Sequence, residues 1–437
     1  MRLLPALVLL AATSALAQSP RPNPAAPPTA YVGGQWWDGE RFEPRDTVWA
    51  EGGVFADRPA RAERVVDLAG RFVVPPFGDA HTHMLSDAYQ GPGQAERFVE
   101  DGVFYALVLT DRHSWAAQVM DQFDGPGSVD VAYSHGGFTS PRSHPVQVYE
   151  WQALRYVGRD LTDAMKREIH ESRLAEDDAY FEVPTLADLD AKWAAFLSHE
   201  PDVVKVYLMD VAGEAEARSG MTGLASGRGL TPEVLREVVR RAHDAGLRVF
   251  AHVGTAADVV LAVESGVDGF AHLPGRREGD DEIERSLLSD AVIEASGERG
   301  LVYVPTSVWS DVYNADRPAR RVFARDLHRR TLRRLHDAGA RVAIGTDQWN
   351  RTAAAEAAFF ASNEFFDLPT VLDLWTRVTP EVVFPGRAIG RLAPGHEASL
   401  LALACDPTAD WSCTAQIAHR EKQGQPLGGT DAAAARR

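Results

Sequence analysis

The feature that most constrains this sequence is an alternation of helical and strand patterns that begins near Val73. It is clearest in TPEVLREVVRRAHDAGLRVFAHVG at positions 231–254. Thr231 suits a helix N-cap, Pro232 suits the first helical position, and Gly246 suits the position just past the helix end. LRVFAHV then reads as an apolar strand. Such helix–strand units predict a parallel sheet.

The same plan recurs along the chain. TAADVVLAVESG reads as a helix and VDGFAHL as a strand, and LHRRTLRRLHDAGARVAIGTD repeats the order helix, glycine, strand. Over roughly 300 residues, this alternation favours a closed eight-stranded TIM-like barrel. We therefore predict an α/β protein with a (β/α)8 barrel over residues 73–385.

The segments that flank the predicted barrel have a different pattern. Residues 30–72 read as short strands separated by Gly, Asp-Gly and Pro turns, and residues 386–427 return to short strands and turns. We predict that these two segments pair into one small β-sandwich domain. Residues 18–29 are a Pro-rich linker by composition, and residues 428–437 form a low-complexity, disordered tail.

The first residues, MRLLPALVLLAATSALAQS, have the pattern of a secretory signal peptide. A basic residue precedes a short apolar stretch and a small-residue cleavage site, which predicts cleavage after Ala17. A membrane anchor is the weaker interpretation because the apolar stretch is too short to cross a bilayer. The sequence therefore predicts a periplasmic or secreted protein.

The charge balance narrows the choice of partners. The 437-residue chain has a formal net charge of -17, which repels nucleic acid backbones and anionic lipid. We expect a small-molecule substrate and neither a nucleic acid nor a membrane partner. The sequence leaves open whether the chain forms a homo-oligomer.

The two cysteines of the chain, Cys405 and Cys413, lie in CDPTADWSC. In an oxidising compartment we expect them to form one structural disulfide that closes a short loop. The other interpretation is a pair of inert thiols.

Polar residues that can bind metal recur in or at the ends of the predicted strands. His81 and His83 lie one residue apart in FGDAHTH, so they would face the same side of a strand. The others are Lys205 within DVVKVYLMD, His252 at the end of RVFAHV, His272 at the end of DGFAHL, and Asp347 at the end of RVAIGTD. The carboxyl ends of barrel strands converge on one rim, so these residues are expected to meet there.

Each of these residues has an ordinary structural interpretation when it is considered alone. A histidine is more often a surface or hydrogen-bonded residue than a metal ligand. Lys205 could extend to the edge of the sheet, and Asp347 could cap the following helix. Only the complete set, in this order along the chain, indicates a metal site.

On these motifs the chain resembles the metal-dependent amidohydrolase superfamily, in the branch of imidazolonepropionase-like proteins and Xaa-Pro dipeptidases. The segments that carry the resemblance are FVVPPFGDAHTH, DVVKVYLM, AHVGTAADVVLAVESGVDGFAHLPG and AIGTD, with VVDLAGRFVVPPF and AIGRLAPGHEASLLAL in the flanking strands. The chain departs from the family pattern where Pro76 and Gly78 replace the commoner Gly and Ile, and where HEASLLAL replaces an Ala-Asp-Leu phrase. These departures leave the ligand set intact.

The resemblance implies a two-metal site in which a CO2-derived carbamate on Lys205 bridges two divalent ions, with Zn2+ expected. His81, His83, Lys205 and Asp347 would hold one ion, and Lys205, His252 and His272 the other. A water shared by the two ions would lose its proton near neutral pH. Asp347 would act as general base and then general acid during cleavage of an amide bond in a peptide-like, N-acyl or cyclic amide substrate.

Three further residues are candidate substrate contacts. His144 ends the loop SHGGFTSPRSHP, which resembles the Gly-rich loop before the family's substrate pocket, but it could equally be a solvated loop histidine. Tyr207 shares the inward face of Lys205 and could donate a hydrogen bond to a substrate or simply fill the barrel. Arg228 could bind a substrate carboxylate or be merely exposed.

Several other functions are alternatives to amide hydrolysis. A lactonase or esterase would use the same site. A zinc deaminase is disfavoured because VGTAAD after His252 contains no Glu and because Lys205 is present. A non-catalytic, metal-stabilised binding protein would not need Asp347. The motifs G-x-S-x-G and G-x-G-x-x-G, which a serine hydrolase or a Rossmann enzyme would need, are absent from the sequence.

Overall fold

The computed structural model describes residues 18–57, 61–213, 225–275 and 284–428. The predicted signal peptide, residues 1–17, and residues 429–437 of the predicted tail lie outside these ranges. Within the described part of the chain the protein is α/β, with helices that alternate with the strands of parallel sheets. None of the described helices has the length and apolar character needed to cross a bilayer.

The strands of the described residues are β1 (Thr29–Val32), β2 (Gln35–Trp37), β3 (Phe42–Pro44), β4 (Thr47–Glu51), β5 (Val54–Ala56), β6 (Arg64–Asp67), β7 (Phe72–Val74), β8 (Phe77–Thr82), β9 (Val103–Val108), β10 (Asp130–Tyr133), β11 (Gly137–Thr139), β12 (Tyr180–Glu182), β13 (Val203–Tyr207), β14 (Arg248–His252), β15 (Gly269–Ala271), β16 (Val302–Val304), β17 (Arg341–Val342), β18 (Leu400–Leu403), β19 (Ile417–Lys422) and β20 (Gln425–Pro426).

The α-helices of the described residues are α1 (Gly91–Glu100), α2 (His113–Ala116), α3 (Val146–Ala153), α4 (Asp163–Glu171), α5 (Leu186–Leu197), α6 (Pro232–Asp244), α7 (Ala256–Ser265), α8 (Asp290–Glu298), α9 (Trp309–Tyr313), α10 (Pro318–Asp337), α11 (Ala354–Ser362), α12 (Leu368–Asp373) and α13 (Thr379–Val383). A π-helical turn, Leu374–Val378, joins the last two.

Local chemistry explains the helix–strand units that were evident in the sequence. Thr231 is the N-cap of α6 and accepts a hydrogen bond from the backbone N–H of Val234, and Pro232 begins the helix. Gly246 follows the helix with a φ of 76°, in the left-handed region that suits glycine. These three predictions are confirmed, and α6 leads directly into the predicted strand, β14.

Two sheets are built from parallel strands. One has the order β10-β9-β8 and the other the order β12-β11-β13-β14-β15-β16-β17. All residues of β8, β9 and β13 are buried, because helices cover these sheets and leave no solvent-facing side. This explains why β9, VFYALV, reads as a continuous apolar run, and β13, VVKVY, as one interrupted only by Lys205.

Backbone hydrogen bonds also join the two parallel sheets to each other. Ala80 N in β8 donates to Ile344 O, just past β17, at 2.8 Å. Asp202 N, just before β13, donates to Tyr133 O at the end of β10, also at 2.8 Å. The last strand of the larger sheet is therefore held beside the first strand of the smaller one.

Two further sheets contain the strands of the flanking segments, and one of them combines N-terminal and C-terminal strands. One has the order β5-β4-β1-β6, and the other, β20-β19-β18-β7-β2-β3, intermixes N-terminal and C-terminal strands. A hydrophobic cluster lies between them: Tyr31 and Phe55 come from the first sheet, and Trp36, Val73 and Leu400 from the second.

The residues predicted to form a linker, 18–29, pack against the protein. Ser19 N donates to Gly386 O at 3.1 Å, and Ala388 N donates to Ser19 O at 3.0 Å. Arg21 N donates to the Glu397 carboxylate at 2.9 Å. Residues 24–26 form a turn, and hydrogen bonds to the C-terminal segment hold Ser19 and Arg21 in place.

A buried ion cluster connects the parallel sheets to the C-terminal segment. Lys422 Nζ lies 2.5 Å from Asp130 Oδ1 and also donates to the carbonyl oxygens of Gly125 and Ser128. Arg387 lies 2.6 Å from Asp130 Oδ2 and 2.7 Å from a carboxylate oxygen of Glu397. Lys422, Asp130 and Glu397 are fully buried and Arg387 is nearly so, and the two cations and two carboxylates thus balance one another with little contact with water.

The predicted disulfide between Cys405 and Cys413 is present, with an S–S distance of 2.01 Å. It closes the loop between β18 and β19, which are neighbouring strands of the six-stranded sheet. This prediction is confirmed.

We expect the variant Lys422→Met to be less stable by about 3–5 kcal/mol, because it leaves Asp130 buried with one of its two cations removed. The measurement is the free energy of unfolding in urea. Lys166→Met is the matched control, since Lys166 is partly exposed and its pair with Asp163 should contribute less than about 1 kcal/mol. Equal losses of stability in Lys422→Met and Lys166→Met would contradict the stabilising role of the buried ion cluster.

The stability contributed by Asp130 should depend on pH. Burial alone would raise the pKa of Asp130, but Lys422 and Arg387 outweigh it and hold this pKa at about 2. Because that value lies below the pKa of about 3.9 in an unfolded chain, ionised Asp130 stabilises the protein above pH 4 by about 2–3 kcal/mol. This contribution is lost as the pH falls from about 5 towards 2. In metal-free protein, the stability gap between wild type and Asp130→Asn should narrow over this range, and a constant gap would contradict the assignment.

Candidate metal centre

The predicted strand-end residues meet at the carboxyl ends of the parallel strands. His81 lies in β8, His252 ends β14, and His272 follows β15. Asp347 follows β17 by five residues, and His83 follows β8 by one. Parallel strands carry their carboxyl ends to one edge, and the structure brings these five side chains together there.

Asp347 is the centre of the arrangement. Its carboxylate oxygens lie 2.8 Å from His83 Nε2, 3.4 Å from His81 Nε2 and 3.8 Å from His272 Nε2. The ligand atoms of His81, His272 and Asp347 all lie within 4.8 Å of one another. Three imidazole nitrogens near one carboxylate are a donor set that suits a divalent metal ion.

The backbone holds Asp347 in this position. Asp347 N donates to His81 O at 2.8 Å, and Asp347 has a φ of 57°, in the left-handed region. Gly345 makes the close approach possible, since a Cβ there would lie 2.6 Å from His81 N and 2.9 Å from His81 Cβ. Any side chain at position 345 would push the two strand ends apart.

The hydrogen bonding of His83 fixes which nitrogen can bind a metal. His83 Nδ1 lies 2.9 Å from Thr110 O, and a carbonyl oxygen can only accept, so Nδ1 carries the proton. This leaves Nε2, which faces Asp347 at 2.8 Å, as the ring nitrogen that can bind a metal ion. His272 Nδ1 likewise bonds to Thr306 Oγ1 at 2.8 Å. Metal-binding histidines are usually oriented in this way by a bond at the other ring nitrogen, so the residues present fit a metal ion.

His252 and Lys205 extend the cluster on the side of β13 and β14. The ring centroids of His252 and His272 are 4.6 Å apart. Lys205 is 1% exposed in β13, and its Nζ lies 5.5 Å from the centroid of the Tyr207 ring. Tyr207 pairs in register with His252 across the two strands, so Lys205, Tyr207 and His252 share one face.

The three candidate substrate contacts differ in where they lie. The His144 ring is 4.7 Å from the His252 ring and 5.2 Å from the Tyr207 ring, so His144 and Tyr207 both border the cluster. The described contacts of Arg228 are with a different residue, Asp210. Its guanidinium donates to Asp210 O at 3.0 Å and lies 3.8 Å from the Asp210 carboxylate. These contacts hold Arg228 against the loop that follows β13.

Tyr207 is tied into a buried chain of hydroxyl groups. Its hydroxyl lies 2.8 Å from Thr110 Oγ1, which in turn lies 2.9 Å from the hydroxyl of Tyr149. Burial raises the pKa of Tyr207, so the phenol stays protonated. Thr110 thus contacts His83 through its carbonyl oxygen and Tyr207 through its hydroxyl.

Sequence reasoning did not single out several residues that shape the centre. Thr110, just past β9, and Thr306, just past β16, are polar residues that follow apolar strands, and this signal could have identified them. Asp79 is fully buried behind His81, accepts a hydrogen bond from His81 N, and has its pKa raised to about 8 by burial. Trp349 stacks on His83 with ring centroids 5.1 Å apart, and no periodic pattern in the sequence marks it.

Comparisons with known proteins identify a family and a shared fold. A model of the amidohydrolase family matches residues 203–428. A search of curated protein sequences gave no match. Several solved structures share the fold at low sequence identity.

Three of these structures show the extent of the likeness. A Xaa-Pro dipeptidase with bound methionine has 17% identity and a TM-score of 0.69, over 92% of this chain and 100% of the other. A prolidase complexed with N-methylphosphonate-L-proline has 18% identity and a TM-score of 0.68, over 92% and 99%. The ochratoxinase of A. niger has 17% identity and a TM-score of 0.68, over 93% and 96%.

We expect Thr110→Val to cost about 1–3 kcal/mol of stability, because it removes the partner of two buried tyrosine hydroxyls while it keeps the shape of the side chain. Thermal or urea unfolding measures this loss. Thr110→Ser, which keeps the hydroxyl, is the matched control and should retain most of that stability. If Thr110→Val and Thr110→Ser lose the same free energy of unfolding, the chain of hydroxyl groups does not contribute to stability.

Proposed function

Since this chain belongs to the amidohydrolase family and is a hydrolase that acts on C–N bonds, we propose that it is a two-metal amidase acting on a peptide-like, N-acyl or cyclic amide substrate. The observation that carries the proposal is the convergence of three histidine Nε2 atoms on the Asp347 carboxylate. The fold shared with a dipeptidase and with an ochratoxinase supports the amide class.

The proposed ligands fall into two groups that share Lys205. His81, His83, Lys205 and Asp347 would hold one ion, and Lys205, His252 and His272 the other, with Zn2+ expected from the imidazole-rich donor set. Divalent ions in these positions would lower the pKa of a bound water and polarise the substrate carbonyl. Burial of Lys205 beside His252 supports the proposal that its amine adds CO2 and releases a proton to form a carbamate, since the resulting anion would offset the charge of two cations.

Asp347 is the proposed general base and general acid. Its side chain is 19% exposed, so Asp347 is partly accessible to solvent while its carboxylate lies near three histidines. From this position it can accept the proton of an attacking water and then deliver it to the departing amine. One carboxylate can perform both transfers because attack and departure occur in sequence.

Other residues of the chain would orient the reacting groups. The proton on His83 Nδ1 is held by Thr110 O, which keeps Nε2 aimed at the centre. His144 borders His252 and is the preferred substrate contact. Tyr207 can donate to a substrate only if its hydroxyl accepts from Thr110, whereas Arg228 would first have to leave Asp210 to bind a substrate carboxylate.

The architecture proposed for this site is a closed (β/α)8 barrel over residues 73–385. In this proposal β8, β9 and β10 of one sheet and β13 to β17 of the other supply eight parallel strands, while β11 and β12 continue the larger sheet beyond β13. The hydrogen bonds from Ala80 N to Ile344 O and from Asp202 N to Tyr133 O support closure of the ring. Residues 30–72 and 386–427 would form the companion β-sandwich, supported by their shared core.

The proposed location of the enzyme is the periplasm or the extracellular space. The support is the signal-like pattern of residues 1–17 with cleavage after Ala17, together with the disulfide between Cys405 and Cys413. The net charge of -17 favours a small-molecule substrate over nucleic acid. Esters and lactones are the second proposed substrate class, because the same groups would attack their carbonyl carbon.

The test is a hydrolysis screen of metal-reconstituted protein against Xaa-Pro and other dipeptides, N-acyl amino acids, cyclic amides and lactones. We expect turnover of at least one amide. Asp347→Asn should fold normally and lose about 10²- to 10⁴-fold in kcat, because the proton transfer is removed. His336→Ala, which changes an exposed histidine at the end of α10, should match wild type. Activity retained in Asp347→Asn would remove the proposed role of this residue.

The number of bound ions tests the role of Lys205 separately. Elemental analysis should find two divalent ions per wild-type chain and fewer in Lys205→Ala, because the bridging ligand is lost. His81→Ala should also lose metal, while His336→Ala keeps both ions. Two ions and full turnover in Lys205→Ala would show that this lysine does not bridge metals.

A further inference from the structure

Trp349 is a large apolar side chain left partly uncovered beside the metal centre. It is 37% exposed, although it lies two residues after Asp347 and its ring stacks on His83 at 5.1 Å with an interplanar angle of 20°. A single exposed apolar residue is ordinary on a protein surface. An exposed apolar residue whose ring covers a proposed metal ligand, however, lies where a substrate would approach the site.

The turn that carries Trp349 is held by hydrogen bonds on several sides. Asp347 N donates to His81 O at 2.8 Å, and Gln348 N donates to Thr346 Oγ1 at 3.2 Å. Thr346 Oγ1 donates to Arg351 O, also at 3.2 Å, which closes the turn around Trp349. The indole is therefore presented by ordered backbone, which reduces the conformational entropy that a ligand would otherwise lose on contact.

Trp309 supports the same turn from the other side. Its indole N–H donates to Thr346 O at 2.9 Å and approaches Asp347 O at 3.3 Å, and its ring stacks on Tyr313 at 5.2 Å. The turn that carries Asp347 and Trp349 is thus bonded to a second tryptophan. Binding sites commonly combine such apolar and aromatic walls with a few polar groups that orient the reacting bond.

We propose that Trp349 determines specificity by stacking on a planar, apolar group next to the scissile amide bond. The inference rests on the proposed function, because it takes the cluster around Asp347 as the place where the amide is cleaved. One face of the indole is covered by His83, and its exposed part can be covered by a flat ring of the substrate. An aromatic pair of this kind contributes beyond the area that it buries. The substrate class is an amide with an aromatic acyl group or an aromatic amine portion.

The experiment compares substrates that differ in planarity and little in size. N-benzoylglycine is paired with N-cyclohexanecarbonylglycine to vary the acyl side, and N-acetylphenylalanine with N-acetylcyclohexylalanine to vary the amine side. For at least one pair, we expect wild type to prefer the planar member by about 2- to 12-fold in kcat/KM, the range that an aromatic stack contributes. Trp349→Leu, which still covers His83 with an apolar group, should abolish that preference, and Trp349→Phe should keep part of it.

Trp115→Leu is the matched control, since Trp115 in α2 is exposed to a similar extent, 39%. It should leave the preference unchanged. An unchanged preference in Trp349→Leu, or none in wild type for either pair, would overturn the proposal while amide hydrolysis itself stands. A preference that instead follows positive charge on the substrate would also overturn it.

Equilibrium binding separates this inference from the proposed function. Calorimetric titration of the metal-reconstituted protein with benzamide and with cyclohexanecarboxamide requires no turnover. We expect benzamide to bind more tightly to wild type, and the difference to vanish in Trp349→Leu. Tighter binding of benzamide without hydrolysis of any amide would support stacking on Trp349 and refute amide cleavage. Equal binding of both amides, or binding of neither, would refute stacking on Trp349.

Discussion

The backbone junction between the end of β8 and the segment after β17 is the contact on which the candidate centre depends. Two hydrogen bonds form it, from Ala80 N to Ile344 O and from Asp347 N to His81 O, each 2.8 Å long. Only a glycine at position 345 permits this separation, because a Cβ there would lie 2.6 Å from His81 N. The carboxylate of Asp347 reaches His81 and His83 because β8 and the segment after β17 are neighbours, and moving them apart would withdraw the carboxylate from both imidazoles at once.

The order of elements along the chain was sufficient to predict much of this centre. Parallel strands joined by helices place their carboxyl ends on one side, so His81, His252, His272 and Asp347 could be expected to meet before any distance was known. Thr110 follows the same rule and was overlooked, because threonine is not a metal ligand and its role arises from a carbonyl oxygen. Trp349 was overlooked because its contact with His83 depends on the shape of one turn. Side-chain partners such as Asp210 for Arg228 depend on loop conformation, which residue patterns do not specify.

The ends of the chain show the other limit of sequence reasoning. The composition of residues 18–29 indicated an extended backbone, and composition carries no information about which surface an extended segment contacts. The buried pair of Asp130 and Lys422 joins residues 292 positions apart. Neither residue stands out in the sequence, because a charge in a short strand can face either solvent or a partner. Only the packing of the C-terminal strands against the parallel sheets brings the two together.

The mixed order of the six-stranded sheet has a consequence for synthesis on the ribosome. β7 ends at Val74, and its neighbour β18 begins at Leu400, so one edge of β7 stays unpaired while nearly all of the intervening polypeptide is made. An open edge is a site where other chains can pair incorrectly. The nascent protein must therefore carry this unpaired edge, and Asp130 without its partners Arg387 and Lys422, until β18 and β19 have been made, so pairing of these strands completes the six-stranded sheet late in folding.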